Sequence, residues 1–270
     1  MNALMGVKQG TRESVPVRYR ARVEYDGTEF AGFQAQLGTR TVQGALETAL
    51  ATLSGGVRHA VDGAGRTDAG VHATGQVIAF TYAGRLAAAE LAGALNGLLP
   101  LDVAIRDLRK APKGFHPRYA ARYREYRYTV WNGPRSPIQA RTALWVRNRL
   151  DTDAMARAGQ AFVGRHDFSA FGSADPRPVR NVHHVRVRRA GQFVTIDVRA
   201  ESFLRGMVRR MVAALIGVGK GTIEESAVGA ALAERRPAFA GAAAPAWGLN
   251  LRRVVYRRSP TRTSGEHEEA

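Results

Sequence analysis

Two hydrophobic periods, one of two residues and one of 3.6, alternate along this chain, and the alternation occurs twice. Residues 18–25 alternate as a strand and stop at the turn signal Asp26-Gly27. Residues 41–53 place Val42, Leu46, Ala49, Leu50 and Leu53 at helical spacing, with Thr41 as N-cap and Gly55-Gly56 as the stop. Residues 75–82 read as a strand, 87–98 as a helix closed by Pro100, and 103–108 and 122–131 as further strands. The second half repeats the pattern. It has a helix over 152–163, a hairpin of 184–189 and 193–199 across Ala190-Gly191-Gln192, a longer helix over 203–218 and a last strand over 249–256. Such a chain is expected to be α+β, with two similar halves, each a mainly antiparallel sheet backed by helices, and a basic cleft between them. The expected divisions are a loose arm over residues 1–17, an N-terminal unit over 18–140, a C-terminal unit over 141–258, and a polar, disordered tail over 259–270.

Charge narrows the partners. Forty Lys and Arg face 23 Asp and Glu, a formal charge of +17, and only Lys8, Lys110, Lys113 and Lys220 are lysines. Arginine's planar fork fits phosphate and stacks on bases, so the surplus points to nucleic acid. With no cysteine, the chain has no disulfide framework, no Cys-ligated zinc and no thiolate nucleophile. The start lacks the apolar stretch of a signal peptide, and the apolar residues 211–219 are far short of the ~20 that span a bilayer. The sequence is therefore read as cytoplasmic, with no membrane contact.

One segment concentrates chemistry: Gly63-Ala64-Gly65-Arg66-Thr67-Asp68-Ala69-Gly70-Val71-His72-Ala73. Its glycines permit tight turns and close approach of a bulky partner, and it displays Arg66 and Asp68 from a loop. An opposite charge beside a carboxylate favours the ionised form, which suits nucleophilic attack and not proton donation. Three other readings stand beside this one. Asp68 is a turn residue bonded to its own backbone; or Asp68 pairs with Asp62, the nearest other acid in sequence, as a hydrolase would require; or Asp68 and His72 bind a metal with a third ligand such as His116 or His166.

The run from Gly65 to Ala73 strongly resembles the signature of the bacterial tRNA pseudouridine synthase A family. Further blocks in family order extend the resemblance over residues 18–257: Glu24-Tyr25-Asp26-Gly27-Thr28, Thr41-Val42-Gln43, Phe115-His116-Pro117-Arg118-Tyr119, Tyr126-Arg127-Tyr128, Arg180-Asn181-Val182, Met207-Val208-Arg209 and Gly248-Leu249-Asn250-Leu251. The resemblance implies an isomerase without cofactor or metal that detaches uracil from ribose, rotates it and reattaches it through carbon. It implies a homodimer whose partner is tRNA, modified at positions 38 to 40 of the anticodon stem-loop. In this chain Asp68 matches the nucleophile, Arg66 the arginine that fills the space of the flipped nucleotide, and Arg209 the basic partner of the nucleophile. Tyr126 matches the tyrosine that packs on the target uracil. Phe115, His116, Pro117, Arg118 and Tyr119, and residues 175–179, match segments that touch the tRNA. The family's second base-flipping arginine aligns with Leu86, and Arg85 beside it is taken for that role.

Each of these residues also has a plain reading. Tyr126 and Tyr128 alternate with Arg127 as one face of a half-buried strand, and Arg209 and Arg210 flank the apolar stripe of Met207, Met211 and Leu215. Arg18, Arg20 and Arg22 line one face of a strand, either as part of a basic groove or for solubility. A non-catalytic RNA-binding protein with the same basic cleft is the rival of another class.

Overall fold

The computed structural model describes residues 15–236 and 243–257. Most of the expected arm and all of the expected tail therefore lie outside the described residues. Within them the first half runs β1 (Val17–Tyr25), α1 (Val42–Leu53), β2 (Val61–Gly63), β3 (His72–Tyr82), α2 (Ala88–Leu98), β4 (Val103–Lys110) and β5 (Ala121–Trp131). The second runs β6 (Leu144–Trp145), α3 (Thr152–Gly159), β7 (Gly164–Asp167), β8 (Val179–Ala190), β9 (Phe193–Ala200), α4 (Met207–Gly219), α5 (Glu225–Glu234) and β10 (Leu249–Tyr256).

Local chemistry explains the elements that the periodicity locates. In β1 the alternate residues Tyr19, Ala21, Val23 and Tyr25 are buried. Thr41 caps α1 by accepting a hydrogen bond from the Gly44 amide at 3.2 Å, and Val42, Leu46, Ala49 and Leu50 form the buried stripe. Asp151 caps α3 through the amides of Asp153 and Ala154 at 3.0 and 2.9 Å.

Two helices are shorter than their patterns predict. The helix expected over 152–163 stops at Gly159 and tightens into a 3-10 turn, Gln160–Phe162. The helix expected over 203–218 begins only at Met207, because Gly206 has φ +71° and interrupts any helical run from Phe203. Four elements were not anticipated. β2, β6 and β7 are too short to display a period, and α5 is rich in alanine and buries only Val228, Ala231 and Leu232.

The fold is mixed α and β, with a sheet in which seven of the nine described strand pairings are antiparallel. The expectation of one sheet per half is replaced by one continuous sheet in the order β4-β1-β3-β10-β5-β9-β8-β7, with β2 on β3 and β6 on β5. The end of the chain makes the difference. Strand β10 returns to lie between β3 and β5, parallel to β3 at Asn250↔His72 and Leu251↔Ala73 and antiparallel to β5 at Leu249↔Tyr128 and Leu251↔Tyr126. A pairing between residues so far apart leaves no local pattern to read.

The seam between β3 and β10 depends on Gly75. A Cβ there would lie 2.1 Å from the Arg252 carbonyl oxygen and 2.6 Å from its carbon, both backbone atoms that cannot turn aside. Gly75→Ala is expected to lower the stability to chemical denaturation by about 1–3 kcal/mol, as overpacking does. Gly93, exposed on α2 with open space around it, should behave oppositely. Gly93→Ala is expected to raise stability by about 0.5–1 kcal/mol through helix propensity.

Candidate active site

The glycine-rich segment bridges β2 and β3 and is held from several sides. The Ala64 amide donates to the Val77 carbonyl at 2.8 Å, and buried Gln76 donates from Nε2 to the Gly65 carbonyl at 2.8 Å. Thr67 is the inward anchor. Its carbonyl accepts from the Phe33 amide at 3.1 Å, and its hydroxyl lies 2.8 Å from the buried Tyr25 hydroxyl. Burial pushes the Tyr25 phenol up to about 12, so it stays neutral. Gly32, at φ +106°, lets its chain pass the Thr67 carbonyl where a Cβ would sit 2.8 Å away. With Thr67 facing inward, its neighbours Arg66 and Asp68 are left nearer the solvent.

Asp68 meets the other half of the chain there. Its Oδ2 is 3.6 Å from Nη1 of Arg209 on α4, and its Oδ1 is 3.7 Å from Nε of Arg205. Arg209 is itself aimed, since its Nε donates to the Ala244 carbonyl at 2.6 Å and its backbone carbonyl accepts from the Ala244 amide at 3.0 Å. Separations of 3.6–3.7 Å are ion pairs and not tight hydrogen bonds. The carboxylate is thus surrounded by positive charge while its lone pairs stay available. Among the described residues its side chain accepts no hydrogen bond from its own loop, unlike an aspartate that closes a turn.

A cleft of about 850 Å³ opens over this pair, lined among others by Arg66, Asp68, Tyr126, Arg180, Arg205 and Arg209. Arg66 is exposed and makes no hydrogen bond or ion pair with any described residue. Tyr126 projects from the central strand β5, its ring edge-on to Phe203 at 5.2 Å and 89°. Burial raises its phenol pKa, so it presents a neutral ring.

The cleft also receives His116, Arg118, Tyr119 and Asp175. Phe115 and Pro117 do not line it. The Phe115 ring packs on Tyr256 at 5.2 Å, and the Pro117 carbonyl accepts from the Tyr256 hydroxyl at 2.9 Å. Arg85 is exposed in the turn after β3 and does not line the cleft.

The competing readings of the loop meet other geometry. Asp62 lines the cleft, but its carboxylate is bonded to Arg18, with His116 Nε2 3.9 Å away. His72 is buried: its Nδ1 accepts from the Gly27 amide at 3.0 Å, and its Nε2 lies 3.0 Å from the Trp247 carbonyl and 3.2 Å from that of Arg141. That ring joins segments from three parts of the chain and is not offered to a ligand. No group of three or more metal-ligating side chains occurs among the described residues, and no helix among them is long and apolar enough to cross a membrane.

Several residues around the site were not singled out from sequence: Arg205, Phe203, Ala244 and, above all, Arg124. The Arg124 side chain is buried and binds three carbonyls from three segments. It donates from Nη2 and Nε to Ala64 at 2.7 and 3.3 Å, from Nη2 to Arg118 at 2.6 Å, and from Nη1 to Glu201 at 2.7 Å. No carboxylate pairs with it among the described residues, and burial lowers its pKa. A signal existed: Arg124 continues the alternation of Tyr126, Tyr128 and Val130, so an arginine occupies the first position of a buried stripe.

The family described as "tRNA pseudouridine synthase" matches residues 21–120 and 158–257. A protein named tRNA pseudouridine synthase A from Syntrophotalea carbinolica is 43% identical over 241 residues, which is 88% of this chain and 95% of that one. Its namesake from Roseiflexus castenholzii is 46% identical over 244 residues, 87% of this chain and 89% of the relative. That from Pectobacterium atrosepticum is 36% identical over 258 residues, 94% and 91% respectively.

The Arg124 fork allows a stability prediction. A lysine keeps the charge but has a single nitrogen, which cannot reach three separated carbonyls. Arg124→Lys should therefore cost about 1–3 kcal/mol for each buried carbonyl left unpaired, read from urea denaturation. A variant as stable as the wild type would mean that water replaces the fork.

Proposed function

The chain belongs to the tRNA pseudouridine synthase family, and on that premise we propose that it isomerises uridine to pseudouridine at positions 38, 39 and 40 of the tRNA anticodon stem-loop, with Asp68 as nucleophile. The observation that carries this reading is the Asp68 carboxylate set between Arg205 and Arg209 at 3.7 and 3.6 Å, in one cleft with Tyr126 and with Arg66, which has no partner among the described residues. The reaction breaks the C1′–N1 bond and forms C1′–C5, while C5 loses a proton and N1 gains one. Atoms and electrons balance within the nucleotide, so no co-substrate is consumed.

The residues divide the work. A base in a stem must leave its stack, at a cost of a few kcal/mol. Arg66 occupies the space left behind, and the Tyr126 ring receives the uracil, a contact worth ~1–3 kcal/mol. Asp68 then attacks, at ribose C1′ or at uracil C6, from its place between the two guanidiniums. The lining arginines, Arg118 and the exposed Arg205 among them, hold the phosphates on either side. Incubating the purified protein with unmodified tRNA transcript in chelator, and mapping pseudouridine, tests the reading directly. Product at none of positions 38 to 40 would overturn it.

Asp68→Asn is nearly isosteric but cannot form the covalent adduct. Turnover should vanish while tRNA binding survives in a filter assay. Pseudouridine formation within tenfold of wild type removes Asp68 from this role, whereas loss of binding as well assigns it to the loop's structure.

Arg66→Ala separates extrusion from chemistry. One factor of ten in rate is ~1.4 kcal/mol, so losing the group that holds the base out should slow turnover tenfold to a hundredfold on a paired stem. The defect should shrink when the target uridine is mismatched and already unstacked. An equal loss on both stems would mean that Arg66 acts on Asp68 and not on the base.

A further inference from the structure

A second concavity, of about 430 Å³, opens outside the catalytic cleft, and it is lined by Arg20, Arg109, Lys110, Arg253 and Arg257 with Tyr256 as a wall and no carboxylate. Its origin lies in a fault between two strands. β4 pairs antiparallel with β1 at Val23↔Ile105 and Arg22↔Arg106, a register that would next bring Leu108 opposite Arg20. One extra residue in β4, with Asp107 at φ +51°, shifts the pairing so that Arg109 stands opposite Arg20. Leu108 keeps its place against the core.

The bulge therefore sets two like charges face to face, an arrangement that destabilises a strand pair, and it does so with a non-glycine residue in the left-handed region. The arginine pair one step along shows the contrast. Arg22 has Asp107 at 3.0 Å and Arg106 has Glu24 at 3.6 Å, whereas Arg20 and Arg109 have no acid among the described residues. Arg20 is instead held by rings, its guanidinium carbon 5.4 Å from the centre of Phe115 and 6.0 Å from that of Tyr256. Lys110, Arg253 and Arg257 likewise form no ion pair with a described residue. Arg253 lies opposite Glu125 in the sheet, but that carboxylate is taken by Arg199 at 2.6 Å. Burial and the neighbouring Arg109 both lower the Arg20 pKa, in keeping with a crowded, uncompensated cation.

We propose that this groove is a second phosphate-binding site, taking the sugar–phosphate backbone of the substrate RNA outside the stem-loop that enters the catalytic cleft. The proposal rests on the reading of tRNA as substrate. Repulsion built into the free protein is relieved when a phosphate enters between Arg20 and Arg109. The groove is also continuous with the cleft wall: Phe115 and the Pro117 carbonyl pack on Tyr256, while His116, Arg118 and Tyr119 of the same segment face the cleft. An RNA strand that passes over this segment leaves one site and reaches the other.

The test uses the double variant Arg109→Ala with Arg253→Ala, two exposed residues with no part in the catalytic cleft. Binding is measured against salt for a full-length tRNA transcript and for an isolated anticodon stem-loop. On the full transcript, affinity should fall at least tenfold near physiological salt, and the slope of log affinity against log salt should be shallower by about 0.7–0.9 for each lost phosphate contact. Affinity and turnover on the stem-loop should match the wild type. Without RNA, the variant should melt at the same temperature as the wild type or higher, because the Arg20–Arg109 repulsion is gone. Wild-type affinity and slope on the full transcript, an equal loss on both RNAs, or a lower melting temperature would each overturn the groove. Failure of the wild-type protein to form pseudouridine would overturn the functional reading instead, and that is scored separately on the same transcript.

Discussion

The Arg124 guanidinium is the constraint on which the site's geometry depends. A buried cation with no carboxylate partner is costly unless its donors find acceptors, and here four donor contacts are spent on three backbone carbonyls. Each carbonyl belongs to a different segment: Ala64 to the loop that carries Arg66 and Asp68, Arg118 to the cleft rim, and Glu201 to the turn that leads to Arg205 and Arg209. The same strand places Tyr126 two residues later, so one stretch of β5 supplies both the clamp and an aromatic ring of the cleft.

The continuous sheet extends that logic across the molecule. Asp68 comes from the first half of the chain and Arg209 from the second, and their separation of 3.6 Å is meaningful only if the halves cannot drift. Insertion of β10 between β3 and β5 provides this, since β3 begins directly after the Asp68 loop and β5 carries Tyr126. The close backbone approach at Gly75 and the packing of the Gly248 backbone against the Tyr128 ring, where a Cβ would lie 2.5 Å from a ring carbon, keep β10 seated. The Tyr128 hydroxyl completes the join by donating to the Pro245 carbonyl at 2.9 Å.

What was legible in the sequence follows from this arrangement. The α1 stripe, its Thr41 cap and the alternation of β1 are local signals and are found where the pattern puts them. The Gly-rich loop displays Arg66 and Asp68 on one cleft with Tyr126 and Arg209, residues 58 to 141 positions further along. Arg85, Phe115 and Pro117 do not line that cleft, because alignment ranks residues by position in the chain and not by the direction in which a turn sends them. Arg124 is harder to read: its place in the alternation of β5 marks it as buried, but an arginine is ordinarily surface, and the alternation does not show that three distant carbonyls converge on it. The β10 insertion and the β4 bulge are properties of pairings between distant segments, and a one-residue slip leaves no trace in either strand alone.

The two arginine groups illustrate opposite uses of one side chain. Around Asp68, guanidiniums stand off at 3.6–3.7 Å and leave the carboxylate oxygens open, as the proposed nucleophile requires, and the Nε of Arg209 is spent on the Ala244 carbonyl. Had it closed to a bidentate pair, as Arg127 does on Asp197 at 2.7 and 2.9 Å, the carboxylate oxygens would be saturated and poor nucleophiles. Arg127 and Asp197 lie on the strands β5 and β9, opposite each other in register, and there a closed pair simply cements two strands. Whether an arginine serves as cement, as a clamp on carbonyls or as a standing positive field is thus decided by where the backbone places its Cα and by which of its five donors are already engaged. In a chain where 36 of 270 residues are arginine, that choice, and not the net charge, separates a reactive centre from a basic surface.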